Sequence, residues 1–230
     1  MTNRITEIWQ RNPARIAGLF YLILTVLTFV GASRFFVVSE VPVNPANLFM
    51  ARVGFVSDLL VTMFFLLLAW TLYVLFSPVN KNLALLVTLS ISVSVAIQAV
   101  NALNYYAALS LLSGTDYMGV FQVDQIQALS MFYLEMHTTV THIAEVFWFL
   151  WLLPTGYLIY TSGILPRKLG ILLMIGSFGY LLVLFQFFLL PSYEMISVPG
   201  AMVAGLAELS LMVWLLVKGA KTPEKQNNME

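Results

Sequence analysis

Six apolar runs, each long enough to cross a lipid bilayer, constrain the fold of this chain more than any other feature. The hydrocarbon core of a bilayer is about 30 Å thick and takes roughly 20 helical residues to cross. The runs extend from Ile16 to Val38, Gly54 to Phe76, Leu83 to Leu111, Thr138 to Tyr160, Leu169 to Leu190 and Ala201 to Val217. They predict an all-α integral membrane protein, a six-transmembrane-helix bundle whose main partner is the lipid bilayer.

Composition supports the same class and excludes several kinds of site. Of the 230 residues, 60% are hydrophobic and 10% are charged, whereas roughly a quarter of the residues in a soluble domain are charged. The 11 basic and 11 acidic residues balance, so no excess charge indicates a nucleic-acid partner. The chain has no cysteine, which excludes disulfides, thiolate metal sites and cysteine nucleophiles.

The distribution of basic residues predicts that both termini are cytoplasmic. With the N-terminus inside, only Arg34 and Arg52 lie on the outer side. The inner side then holds Arg4, Arg11, Arg15, Lys81, Arg167, Lys168, Lys218, Lys221 and Lys225. Such a bias is typical of cytoplasmic loops and favours the N-in, C-in orientation.

The first apolar run has an alternative interpretation as a cleavable signal peptide. Basic residues precede it, and the small residues Gly31, Ala32 and Ser33 follow its first part. The run continues through Phe35 to Val38, so we interpret it as an uncleaved first span.

Short connections predict one domain. The turns at residues 77–80 and 162–166 are too short for anything but antiparallel neighbours, which predicts a single six-span domain over residues 1–218. The segment 124–137 is predicted to extend the fourth span as a helix above the membrane. Residues 219–230 are polar and are predicted to form a disordered cytoplasmic tail.

Two segments resemble a known family. The sequence from Phe147 to Gly170 resembles the central motif of a bacterial membrane family, domain of unknown function 4386, although its Trp-Gly-Leu-Trp form reads Trp148, Phe149, Leu150, Trp151 here. Arg15 to Leu22 is similar to the start of that family. The resemblance implies a six-span protein of a prokaryotic cell membrane. Because the family's activity is not established, it implies no catalytic residues.

Polar side chains inside the spans are the candidate site residues. A charge near the bilayer centre costs roughly 2.5 to 3.5 kcal/mol on insertion scales, so such residues indicate function by default. A helix rises about 1.5 Å per residue, which gives the depth of each of these polar side chains in its span. All of them lie in the outer half. We therefore expect a polar cavity that is open to the outer side, with a cytoplasmic half made of apolar side chains. Its candidate ligand-binding residues are Asp58, Asn101, Asn104, His142, Glu145 and Glu208.

On the fourth span, helical spacing places Glu135, Thr138, His142 and Glu145 on one face. His137 is rotated by about 140° from His142 and is expected to be an interface residue near water. The His-Glu-x-x-His pattern of zinc proteases is absent, so no metal ligand is assigned. A metal, if bound, would require His142 with Glu145, Glu208 or Asp58.

Structural roles remain open for several of these residues. Polar groups within spans also serve as interhelical hydrogen bonds, worth about 0.6 kcal/mol each on average. Asp58 could instead cap the start of the second span, and Trp148 and Trp151 could either pack between helices or line the cavity. Pro154 predicts a kink in the fourth span.

Three functions are compatible with the sequence. The first is binding or transport of a small or amphiphilic ligand that enters from the outer leaflet. The second is a hydrolase-like intramembrane enzyme, with or without a metal, that uses Glu145 or Glu208 as a base with His142, although no Gly-x-Ser-x-Gly elbow or phosphate-binding loop occurs. The third is a non-catalytic partner subunit. No cofactor is assigned.

Overall fold

The computed structural model describes residues 13–32, 45–114 and 120–220. These residues form six long helices: α1 (Pro13–Ala32), α2 (Pro45–Phe76), α3 (Lys81–Leu112), α4 (Val123–Ser162), α5 (Arg167–Leu189) and α6 (Val198–Val217). A 3₁₀ turn, Glu194–Ile196, precedes α6. All six helical segments are long and apolar enough to cross a bilayer. The predicted six-helix bundle is confirmed, and the chain is a multi-pass membrane protein.

Two helices extend beyond their apolar runs. Helix α4 begins at Val123 and has 40 residues, so the extension expected over residues 124–137 is confirmed and is continuous with the span. Helix α2 begins at Pro45 rather than near Gly54. Asp58 therefore lies within the helix and does not cap it, contrary to the alternative raised above. The predicted end of the first span at Val38, and the tail from residue 221 onward, lie outside the described residues.

Turn chemistry explains the two short connections. The Asn80 side chain accepts a hydrogen bond from the Leu83 backbone N–H at 3.0 Å and so caps the start of α3. Gly163 ends α4 with a φ of 68°, a left-handed conformation that favours glycine. Pro166 then precedes the first residue of α5. We call the end of the bundle with these connections the turn end, and the opposite end, with residues 113–114, 120–122 and 190–197, the loop end.

The helices form a ring. Each helix packs on the next one along the chain, and α6 packs on α1 to close it. Glycines permit close contact at three of these interfaces. Gly156 meets Gly170 between α4 and α5, Gly179 meets Gly200 between α5 and α6, and Gly18 meets the backbone of Leu216 between α1 and α6.

Apolar side chains fill the ring near the turn end. Leu68, Leu72, Leu158, Leu173 and Leu215 are almost completely buried there, within one continuous hydrophobic core. Many large apolar side chains instead point outward, among them Trp70, which is 58% exposed. An outward apolar surface on a bundle with a filled core is what a lipid environment requires.

Candidate ligand cavity

A cavity of about 290 Å³ lies inside the ring, and every one of the six helices contributes to its wall. Asp58 of α2 and Glu208 of α6 both line it. Helix α6 begins at Val198, so Glu208 lies ten residues, or about 15 Å, from the loop end of its helix. Polar groups from several helices therefore meet around one internal cavity, and its opening to the outer side stays a prediction.

Aromatic side chains form one wall of the cavity. Phe65, Trp148, Trp151 and Tyr180 line it. The Trp151 ring packs edge-on against Phe65 with centroids 5.9 Å apart, and Trp148 packs in the same way against Tyr180 at 5.3 Å. The sequence left packing and cavity lining as alternatives for the two tryptophans. Both occur together, because each ring touches its neighbours with one part and the cavity with another.

Glu208 is held by a tyrosine. The Tyr180 hydroxyl of α5 donates a short hydrogen bond to the Glu208 Oε1. The hydroxyl of Tyr21, on α1, is buried beside the same carboxyl and has no hydrogen bond of normal geometry within the described part of the chain. Sequence reasoning missed both tyrosines because each stands alone in an apolar run, and their acidic partner is distant along the chain.

His137 is the histidine that lines the cavity. Its Nε2 lies 3.9 Å from the Asp58 Oδ2, and its ring lies 5.8 Å from that of Tyr105. His137 is only 7% exposed, so the expectation of an interface residue near water is wrong. The inward face of α4 repeats at spacings of four and three through His137, Thr141, Ala144, Trp148 and Trp151. That apolar-aromatic repeat is the sequence signal that identifies His137.

Asn101 and Asn104 lie beside the cavity without lining it. The Asn101 amide, 1% exposed, donates to the His137 carbonyl at 2.9 Å and to the Thr141 Oγ1 at 3.3 Å. The Asn104 amide donates to the Asn101 Oδ1 at 3.1 Å. The Asn101 contacts tie α3 to α4 and support the interhelical hydrogen-bonding role for Asn101, whereas the Asn104 contact lies within α3. Gln98, on the same face of α3, does line the cavity.

His142 and Glu145 form a separate pair that packs against α5. The His142 Nδ1 lies 3.1 Å from the Glu145 Oε1, and the His142 ring stacks on Phe187 with centroids 4.0 Å apart. The second carboxylate oxygen of Glu145 is buried without a hydrogen-bond partner among the described residues. Neither residue is part of the cavity wall.

The candidate residues thus divide into three groups. Asp58 and Glu208 line the cavity, the two asparagines lie against it, and the His142–Glu145 pair lies between α4 and α5. Over residues 13–32, 45–114 and 120–220, no three His, Asp or Glu side chains converge as a metal site would require. No three members of the metal set considered above, His142 with Glu145, Glu208 or Asp58, converge among these residues.

The family model described as Domain of unknown function (DUF4386) matches residues 16–219, which include every cavity-lining residue. The chain belongs to this family. The resemblance inferred from the segment Phe147 to Gly170 is thereby confirmed for the DUF4386 domain. No curated protein and no solved structure matches the chain.

Proposed function

We propose that this DUF4386 protein binds or transports a small amphiphilic ligand in the cavity inside the ring. The observation that carries the proposal is a cavity of about 290 Å³ with both an aromatic wall and convergent polar groups. Ligand pockets are typically about 300 to 1,000 Å³, mostly apolar, with a few polar groups that orient the ligand. This volume suits a small molecule or one short alkyl chain with its headgroup.

The distribution of charge supports an orientation for the site. Within the described residues, Arg15, Lys81, Arg167, Lys168 and Lys218 all lie at the turn end. Arg52 is the one described basic residue toward the loop end, where Asp124 and Glu194 also lie. Because cytoplasmic ends carry the basic excess, we place the turn end and both termini in the cytoplasm. The ligand then enters from the outer side of the cell membrane.

An intramembrane enzyme has weaker support from the geometry. Glu208 lines the cavity without His142, and the hydrogen-bonded His142–Glu145 pair packs between α4 and α5, outside the cavity wall where a substrate would bind. General base catalysis requires hydrogen-bond reach, directly or through one water. Ligand binding requires only the cavity itself.

The experiment is native mass spectrometry of protein extracted directly from cells into polymer nanodiscs. A cavity-filling variant, Ala102→Phe, places a ring in the space that Ala102 lines. Its matched control, Ala99→Phe, adds the same ring three residues earlier on α3, where the side chain is exposed on the outside of the bundle.

We expect a discrete adduct mass on the wild type and on Ala99→Phe, and its loss from Ala102→Phe. Retention of the adduct on Ala102→Phe would show that the molecule binds elsewhere. A wild type without any adduct would favour the partner-subunit interpretation, which requires no bound ligand.

A further inference from the structure

The threonine hydroxyls around the cavity are hydrogen-bond acceptors. Thr28 donates its proton to the Leu24 carbonyl at 3.0 Å, Thr62 to the Leu59 carbonyl at 2.7 Å, and Thr141 to the His137 carbonyl at 2.9 Å. All three threonines line the cavity. A hydroxyl that donates to its own helix backbone retains only its oxygen lone pairs for a ligand.

Two other donors of the cavity wall also donate their hydrogen bonds to protein oxygen atoms. The Trp148 Nε1–H donates to the Ser94 Oγ at 2.7 Å, and the Tyr180 hydroxyl donates to Glu208. The Gln98 Oε1 accepts from the Asn101 amide at 3.1 Å, so the Gln98 amide nitrogen and the Ser94 hydroxyl remain as neutral donors. The wall also carries the Trp151 indole and the His137 imidazole. Among the described lining residues there is no lysine or arginine for the charge-assisted hydrogen bonds that an anionic headgroup requires.

The charged groups of the wall are acidic. Asp58 and Glu208 line the cavity, and no lysine or arginine is among its described lining residues. The imidazole of His137 lies beside Asp58, whereas the described contacts of the Glu208 carboxyl are with tyrosine hydroxyls alone. A carboxylate in a largely apolar space is costly unless a positive charge accompanies it.

Aromatic faces complete the arrangement. Phe65, Trp148, Trp151 and Tyr180 surround the space with which Glu208 is in contact. Alkylammonium groups bind favourably over tryptophan and tyrosine rings, and such rings recognise quaternary ammonium ligands. Leu24, Val61 and Val95 add an aliphatic surface that suits an alkyl chain.

We infer that the ligand of this cavity is an amphiphilic cation, an alkylamine or alkyl quaternary ammonium compound, with its positive charge near Glu208. This inference rests on the proposed ligand-binding function and names the chemical class that the wall selects. An acceptor-rich surface with carboxylates and aromatic rings matches a cation that carries no hydrogen-bond acceptor.

The test is quenching of the two cavity tryptophans by brominated probes that differ only in their headgroup. The background variant carries Trp9→Phe, Trp70→Phe and Trp214→Phe, which leaves Trp148 and Trp151 as the fluorophores. The three probes are 12-bromododecyl-trimethylammonium, 12-bromododecan-1-ol and 12-bromododecanoate. Each is titrated in the same maltoside micelles, so that partition into the detergent is common to all protein variants.

We expect the ammonium probe to bind most tightly. Glu208→Gln should weaken its binding by at least about tenfold, because truncation of one partner of a buried charge pair typically costs at least that much. The alcohol should bind Glu208→Gln and the background protein equally, which also shows that the variant is folded. Glu135→Gln removes an exposed carboxylate of α4 and should leave the affinity for all three probes unchanged.

The possible results distinguish the cation inference from the proposal of a ligand cavity. Equal affinity for the three headgroups, or tightest binding of the dodecanoate, would overturn the cation inference while supporting a ligand cavity. An unchanged affinity of Glu208→Gln for the ammonium probe would also overturn it. If Ala102→Phe reduces the quenching by none of the three probes, that result contradicts the cavity proposal itself.

Discussion

The contact of α4 with α5 yields the sharpest stability prediction. A Cβ atom at Gly170 would lie 2.6 Å from the Gly156 carbonyl oxygen and 2.8 Å from the Tyr160 backbone nitrogen. Ordinary Cβ contacts begin near 3.4 Å, so Gly170→Ala must move the two backbones apart by about 0.8 Å. Neither atom belongs to a flexible side chain, so the strain cannot be relieved locally.

We expect Gly170→Ala to lower the free energy of unfolding by about 1 to 3 kcal/mol, the range for an overpacked interface. Gly156→Ala meets the Gly170 carbonyl at 2.7 Å and should cost a similar amount. The double variant should cost less than the sum, because one separation of the helices relieves both clashes.

The assay is equilibrium unfolding in mixed maltoside and dodecyl sulfate micelles, followed by far-ultraviolet circular dichroism. Gly205→Ala is the matched control, since nothing lies within 4 Å of a Cβ there. It should stabilise the protein by roughly 0.5 to 1 kcal/mol through helix propensity alone. If Gly170→Ala and Gly205→Ala have the same stability, the close crossing of α4 and α5 is not present in the folded protein.

Three further predictions concern the polar groups and the orientation. Asn101→Ala removes two hydrogen bonds from α3 to α4 and should lower the free energy of unfolding by about 1 kcal/mol; an equal cost for Asn104→Ala, which loses only a contact within α3, would contradict this assignment. Glu145→Gln should leave thermal stability unchanged or raise it, because one carboxylate oxygen is buried without a partner; a marked fall in melting temperature would show that the charge stabilises the fold. The chain has no cysteine, so Asn80→Cys should resist an impermeant maleimide in intact cells and Phe121→Cys should react; labelling at position 80 would reverse the proposed orientation.

The helices were predictable from the sequence because the bilayer imposes a minimum length on each apolar run. Their ends were less predictable where a helix continues into polar sequence, as α2 does before Gly54 and α4 does before Thr138. In these places the length of the apolar run corresponds to the hydrophobic thickness of the bilayer and does not show where the helix begins. The turns followed from local chemistry, which Asn80 and Gly163 illustrate.

The site was predictable only in part. Asp58 and Glu208 could be selected as candidate site residues because a carboxyl group within a span costs free energy whichever direction its side chain points. Which histidine lines the cavity depends on how α4 is rotated, and the acidic pattern around His142 and Glu145 pointed to the wrong face. The inward face also carries Trp148 and Trp151, a spacing that the sequence prediction did not use. The partners of Glu208 depend on how α1, α5 and α6 pack in space, which no local pattern encodes.

An experimental structure of the protein extracted with its native lipids tests the central claim most directly. We predict discrete density for a non-protein molecule inside the ring, between α2, α4 and α6, in contact with Trp148, Trp151 and Glu208. The same density should be absent from the Ala102→Phe variant. A cavity that holds only ordered water in the natively extracted wild type, or a bound molecule confined to the lipid-facing surface, would contradict a ligand-binding function for this cavity.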